Sequence, residues 1–175
     1  EEQVIELPHE ILSSDSFMVS MWIYPTEEHS WRCALYVKYE TGFFGMIPIA
    51  WEGHSSFRIR DSKEVDGWYD ISGCKLQVNE WSHYVVSYNA KTETAYAYIN
   101  GQLVGSMKNV PGNRYAKRIV LGGDVFQPSF IGKICEVTFY NEIRDHDFVS
   151  ELHQSYVTGD DFMKCFGIRG GEFGN

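Results

Sequence analysis

The feature that most limits what this chain can fold into is the run Trp81-Ser82-His83-Tyr84-Val85-Val86-Ser87-Tyr88, followed by Ala95-Tyr96-Ala97-Tyr98-Ile99-Asn100-Gly101-Gln102-Leu103-Val104. β-Branched and aromatic residues dominate both runs, and they fit the pleated surface of a sheet better than the crowded turns of a helix. Asn89-Ala90-Lys91-Thr92 supplies polar turn chemistry between them. Asn100-Gly101 is the dipeptide best suited to a type I′ turn, where both central residues need positive φ. The pattern predicts strands paired through tight hairpins, and it contains no catalytic group.

Further strand-like segments recur along the chain: Val4 to Leu7, Phe17 to Tyr24, Ala34 to Tyr39, Phe43 to Trp51, Phe57 to Arg60, Trp68 to Ile71, Arg118 to Leu121 and Ile131 to Tyr140. Such spacing predicts an all-β fold, a two-sheet antiparallel sandwich. One short C-terminal helix is predicted from Asp145 to Tyr156. Asp145 serves as N-cap, Asp147 places an acid in the first turn, and Phe148, Leu152 and Tyr156 repeat on one face. Gly159 is positioned to stop it. The 175 residues suit one domain over 1–160, and the Gly-rich stretch 161–175 reads as a linker or the opening of a following domain. The chain is therefore expected to be one module of a larger protein.

Several pieces resemble the laminin-G-like branch of the concanavalin A-like lectin/glucanase superfamily. Trp81, His83, Val85, Val86 and Tyr88 with the Tyr98 to Gly101 hairpin are similar to its central strands, and Phe17 to Pro25 to its opening strand. Ile119 to Gly123, Phe130 to Val137 and the helix after Asp145 resemble its closing elements. The resemblance covers most of residues 1–158 and implies a jelly roll. It also implies a structural calcium between the opening strands and an acid in the closing strand, although Cys135 stands where the family carries Asp, with Glu136 beside it.

Charge excludes some partners. A net charge of −9 with only small basic groups, Arg58 with Arg60 and Arg114 with Lys117 and Arg118, argues against nucleic acid or sulfated glycan. No apolar run approaches the roughly 20 residues of a membrane helix, so no membrane partner is expected. The opening Glu1-Glu2 does not read as a secretory signal, so any such signal is expected outside this sequence. Cys33, Cys74, Cys135 and Cys165 allow three pairings and lack zinc or redox spacing. The apolar surroundings of Cys33 and Cys135 favour reduced thiols.

The sharpest enzyme signal is Glu64-Val65-Asp66-Gly67-Trp68, which is similar to the paired-acid run of laminarinase-type hydrolases. A retaining glycosidase needs two carboxyl groups about 5–5.5 Å apart. Here Trp68 and Tyr69 replace the next acid, and Asp70 comes too late, so no catalytic residue is assigned. The histidines form no nucleophilic or metal motif; His83 reads as a core residue, and His146 and His153 as surface groups.

The segment from Trp51 to Asp70 holds the richest chemistry. Sugars present C–H faces to aromatic rings and hydroxyls to Asp and Arg, so the candidate carbohydrate-binding residues are Trp51, His54, Arg58, Arg60, Asp61, Trp68, Tyr69 and Asp70. Trp31, Tyr115 and Phe126 are further loop aromatics. By resemblance, the expected function is a non-catalytic carbohydrate-binding module, extracellular, with a glycan or polysaccharide as partner and a covalently linked catalytic domain. A protein-interaction domain of an intracellular scaffold is the alternative, and a glycoside hydrolase the remote one.

Overall fold

Residues 4–113 and 115–159 are described in the computed structural model. The strands are β1 (Ile5–Leu7), β2 (Phe17–Pro25), β3 (Leu35–Tyr39), β4 (Gly42–Ile47), β5 (His54–Asp61), β6 (Trp68–Lys75), β7 (Ser82–Asn89), β8 (Thr94–Ile99), β9 (Gln102–Met107), β10 (Arg118–Leu121) and β11 (Gly132–Tyr140), followed by helix α1 (His146–Thr158). They form two antiparallel sheets, a six-stranded one in the order β1-β10-β3-β4-β5-β6 and a five-stranded one in the order β11-β2-β7-β8-β9. The jelly-roll sandwich expected from the sequence is the observed fold. The apolar run after Phe43 ends its strand at Ile47, and Trp51–Gly53 forms a single 3₁₀ turn instead of extending it.

Period-2 alternation explains the core. In β2 the side chains of Phe17, Val19, Met21 and Ile23 enter the space between the sheets, where Phe44, Phe57 and Tyr84 meet them. Asn100 and Gly101 have φ of 50° and 79°, as the predicted two-residue turn requires. A Cβ on Gly101 would also stand 3.0 Å from the Cβ of His153, so both backbone conformation and helix docking keep this position small.

The outer face of the five-stranded sheet carries α1. Asp145 caps the helix through an N–H···Oδ1 bond of 2.9 Å from Phe148. Gly159 follows it at φ −83°, so the helix ends without the left-handed glycine turn. Val149 is fully buried with Met18, Val85 and Tyr98. His146 is exposed, as expected, although its ring reaches Tyr98, whereas His153, expected at the surface, is half-buried against the sheet. The Tyr98 hydroxyl and His146 Nδ1 are 2.7 Å apart, and the His153 ring stacks at 5.5 Å on both Trp22 and His83. The reason is the seven-residue interval His146, Val149, His153 and Tyr156, which turns one stripe of the helix toward the sheet.

His83 is a core residue, as its sequence context predicts. Its Nε2 and the Ser20 hydroxyl are 2.7 Å apart, and its backbone N–H donates to Asn100 Oδ1 at 2.9 Å. Burial, with a smaller contribution from His153, lowers its pKa from the ordinary 6.5 to about 3. Cys33 and Cys74 are free thiols, and neither is bridged to Cys135. Cys165 lies outside the described residues, as does the expected linker 161–175. Among the described residues, no helix is long and apolar enough to cross a membrane.

The depressed pKa of His83 has a definite sign in stability. Between about pH 6.5 and 3 the unfolded chain binds the proton that the folded chain refuses, so the contribution is complete above 6.5 and declines as pH falls. His83→Gln keeps a partner for Ser20 but removes the titration. Thermal melts at pH 7 and pH 4 are expected to show a steeper loss for the parent than for the variant. Equal losses would mean that His83 does not titrate in its buried position.

Candidate ligand-binding cleft

The outer face of the six-stranded sheet has no helix over it among the described residues. Alternation brings Tyr36 of β3, Phe43 and Gly45 of β4, Arg58 of β5 and Trp68 and Asp70 of β6 to this side, opposite Leu35, Phe44, Phe57 and Ile71. Strand register aligns them. One row crosses the sheet as Val120, Tyr36, Gly45, Arg58 and Asp70, and the next as Arg118, Lys38, Phe43, Arg60 and Trp68.

Two loops raise walls on this floor. The 26–34 loop contributes Trp31 and Cys33, and the 122–131 loop contributes Asp124, Phe126 and Gln127. Backbone bonds anchor the first, from Trp31 N–H to the Ile49 carbonyl and from Ala34 N–H to the Met46 carbonyl, each 2.8 Å. The loops are joined where Arg32 donates to the Ser129 carbonyl at 2.8 Å and Gly122 N–H donates to the Ala34 carbonyl at 2.8 Å. Between the walls lies a cleft of ≈190 Å³.

Arg58 organises the floor. Its Nε and Nη2 donate to the two carboxylate oxygens of Asp70 at 2.6 and 2.8 Å, and the Ser56 hydroxyl donates to Asp70 Oδ1 at 2.9 Å. This forked, charge-assisted geometry is the strong form of an ion pair. The guanidinium lies 4.4 Å from the Trp31 ring centroid and 5.0 Å from that of Trp68, adding cation–π attraction on both sides. Arg60 stands at the rim, 4.9 Å from the Trp68 ring, with Nη1 donating to the carbonyls of Asp61 and Glu64.

The Asp124 wall is equally built. Asp124 Oδ1 accepts N–H bonds from Phe126 at 2.6 Å and Gln127 at 2.7 Å, a turn that holds Phe126 out with 64% of its surface exposed. Burial, aided by Asp124 next to it, pushes the Cys33 thiol well up. The same two causes raise the Tyr36 phenol to about 12. Both therefore face the cleft as neutral groups at pH 7. Gly45 has no unusual φ, yet a Cβ there would lie 2.9 Å from Cys33 Sγ, so this glycine makes room on the floor and is not needed for a turn.

Of the eight candidate residues, Arg58, Trp68 and Asp70 meet here with Arg60 at the rim. Trp51 lies at the outer edge of Trp31, with their rings at 4.7 Å and near-perpendicular. His54 begins β5 opposite Lys75 and does not line the cleft. Tyr69 packs into the core, and Asp61 is buried with Oδ1 accepting from Lys63 N–H at 2.9 Å. Both point away because they alternate with Trp68 and Arg60. Glu64 and Asp66 are exposed in the turn between β5 and β6 and do not share a strand face.

Sequence reasoning missed Tyr36 and Phe43 because they sit in strongly apolar runs. Their signal was available: Tyr36 shares a strand face with Lys38, opposite the apolar Leu35 and Val37, and of the neighbours Phe43 and Phe44 only one can enter the core. At the calcium position, Cys135 pairs opposite Trp22 on the sheet face beneath α1, and Glu136 is exposed at a bulge with φ 51°. Among the described residues, no three His, Cys, Asp or Glu side chains gather around a point that could hold a metal. These donors do not fit the hard, oxygen-rich shell of calcium.

The family model for laminin G-type domains of the concanavalin A-like lectin/glucanases superfamily matches residues 1–150. The chain belongs to this superfamily. Among solved structures, domain 4 of AbnA, an extracellular GH43 arabinanase from Geobacillus stearothermophilus determined with arabinotriose, is similar at 25% identity and TM-score 0.75, over 86% of this chain and 72% of that one. The CBM40 of the Ruminococcus gnavus IT-sialidase, bound to α2,3-sialyllactose, shares the fold at 14% identity and TM-score 0.67, over 86% and 96%. A pentraxin from Limulus polyphemus does so at 15% identity and TM-score 0.65, over 85% and 72%. No curated protein matches this superfamily member by sequence.

The Arg58–Asp70 fork is half-buried, so removing one charge leaves the other poorly solvated. Asp70→Asn is expected to lower stability by about 1–2 kcal/mol in urea denaturation and to alter tryptophan fluorescence, because the Arg58 charge between Trp31 and Trp68 loses its counterion. An unchanged midpoint and spectrum would show that the fork holds neither.

Proposed function

We propose that this domain is a non-catalytic carbohydrate-binding module. It holds a glycan in the cleft on the outer face of its six-stranded sheet and targets a larger, extracellular, glycan-active protein to its polysaccharide. The observation that carries the proposal is the exposure of Trp51, Trp68 and Phe126, at 59%, 50% and 64%, around one cleft floored by the forked Arg58–Asp70 pair. Exposed rings gathered in one place leave an apolar patch in water, and such patches mark binding surfaces. Sugar C–H faces cover aromatic rings, while their hydroxyls meet the remaining Arg58 N–H groups and the Asp124 carboxylate.

The ring assignments refine the expectation from sequence. Trp68 carries Arg58 and Arg60 near its ring, so Phe126 takes the main stacking role and Trp68 forms the opposing wall. The arabinotriose complex of AbnA domain 4 supports a glycan on a sandwich of this type. The non-catalytic reading is supported by Glu64 and Asp66, which lie in a solvent-exposed turn and not across the cleft.

The mechanism is targeting. A weakly held glycan raises the effective concentration of substrate at a tethered catalytic domain. A broad glycan array, with and without calcium and followed by calorimetry, is expected to show selective binding. Phe126→Ala and Trp68→Ala are each expected to weaken it by about tenfold or more while the fold is kept. Folded variants that bind unchanged would remove those rings from the site. Silence of the parent on the array under both conditions would overturn the carbohydrate reading in favour of a protein partner.

A further inference from the structure

Resting on that reading, we infer that the cleft takes an uncharged glycan and rejects sugars bearing carboxylates, because its one lining cation is already neutralised. The ionisable groups that set its charge are Arg58, Asp70 behind it and Asp124 in the wall. One guanidinium thus faces two carboxylates. Tyr36 and Cys33 add none, since both stay protonated at neutral pH.

A sialic or uronic acid carboxylate entering a protein site needs a cation whose charge is available, and the strongest arrangement is the forked face of an arginine. Arg58 has spent its Nε–Nη2 edge on Asp70, and the rings of Trp31 and Trp68 lie 4.4 and 5.0 Å away. Three N–H groups remain on its other edge. They are good donors to hydroxyl oxygens, but a carboxylate approaching them also meets the fields of Asp70 and Asp124. Other cations stand around the cleft without lining it: Arg60 at the rim donates to the carbonyls of Asp61 and Glu64, Lys38 shares its row, and Arg32 donates to the Ser129 carbonyl. Arg118, in that same row, is paired with Glu6 at 3.2 Å. A chain of net charge −9 adds a long-range field of the same sign.

Hydroxyl recognition fits what remains. Asp124 accepts two backbone N–H bonds at Oδ1 and a hydrogen bond from the Cys33 thiol, and the lone pairs that remain on the carboxylate can accept from a sugar hydroxyl, while Arg58 donates from the floor. One acceptor and one donor on opposite sides of an aromatic-walled slot suit a neutral polyol. Stacking and paired hydroxyl bonds are also weakly screened by salt, unlike capture of an anionic ligand.

The test sorts array hits by charge. Arabinan, xylan and glucan oligosaccharides serve as neutral probes, and sialylated and oligogalacturonate glycans as acidic ones. Expected are neutral hits only, with affinity changing less than about twofold between low and high salt. Acidic hits without neutral ones would overturn this inference and leave the carbohydrate reading standing, whereas an empty array would overturn both. Asp70→Asn, checked as folded by circular dichroism, provides an independent readout. Freeing the Arg58 charge is expected to improve binding of trigalacturonate at least about fivefold over the parent. A folded variant with no such gain would overturn charge balance as the basis of selection.

Discussion

Two packed sheets share one buried interface, and each is left with an outer face that the same alternating sequence must also satisfy. That constraint organises the rest of this structure. Every strand residue that enters the core fixes its neighbours on the outside, so Phe44 and Phe57 in the core determine that Phe43, Gly45 and Arg58 stand on the outer surface. The two outer faces are then treated differently. The five-stranded sheet is covered by α1, through Val149, His153 and Tyr156. The six-stranded sheet receives two loops, which rise at its sides and leave a gap between them.

The gap persists because its parts are held by polar geometry as well as by apolar packing. Arg58 is clamped by Asp70 and flanked by Trp31 and Trp68, which keeps an arginine ordered on a surface where its side-chain entropy would otherwise be large. Asp124 fixes the opposite wall through its own backbone, and Gly45 keeps the floor low. A small second apolar cluster, Cys33, Tyr36, Ile47, Ala50 and Val120, seals the base and gives the loops something to pack on. The result is a preformed cleft, and preformation lowers the ordering cost of holding any flexible ligand.

The legibility of this site in the sequence follows the range of the forces involved. Arg58, Trp68 and Asp70 belong to one hairpin, so local alternation was enough to place them together. The same alternation, applied strictly, separates Tyr69 and Asp61 from them, and a candidate list drawn by composition alone blurred that distinction. Trp31 and Phe126 were visible as loop aromatics but without a destination, since nothing local to either loop states which strand face it will overhang. His153 shows the same limit: on a helix, it is indistinguishable from a solvent-facing group until the sheet beneath it is known, whereas the exposed His146 matches the expectation.

The sequence by itself determined the strands, the Asn100-Gly101 turn, the capped helix and, with its family resemblance, the jelly roll, because these depend on period, turn chemistry and near neighbours. Only the tertiary structure decided that loops 26–34 and 122–131 meet over the β3–β6 face, that Asp124 stands beside Cys33, and that Arg58 is sandwiched between tryptophans 27 and 10 positions away.

 The physical reason is that these contacts join segments far apart in the chain. Pairings of that kind are set by how strands order within a sheet and by which outer face is left uncovered, and no local period or turn signal records either.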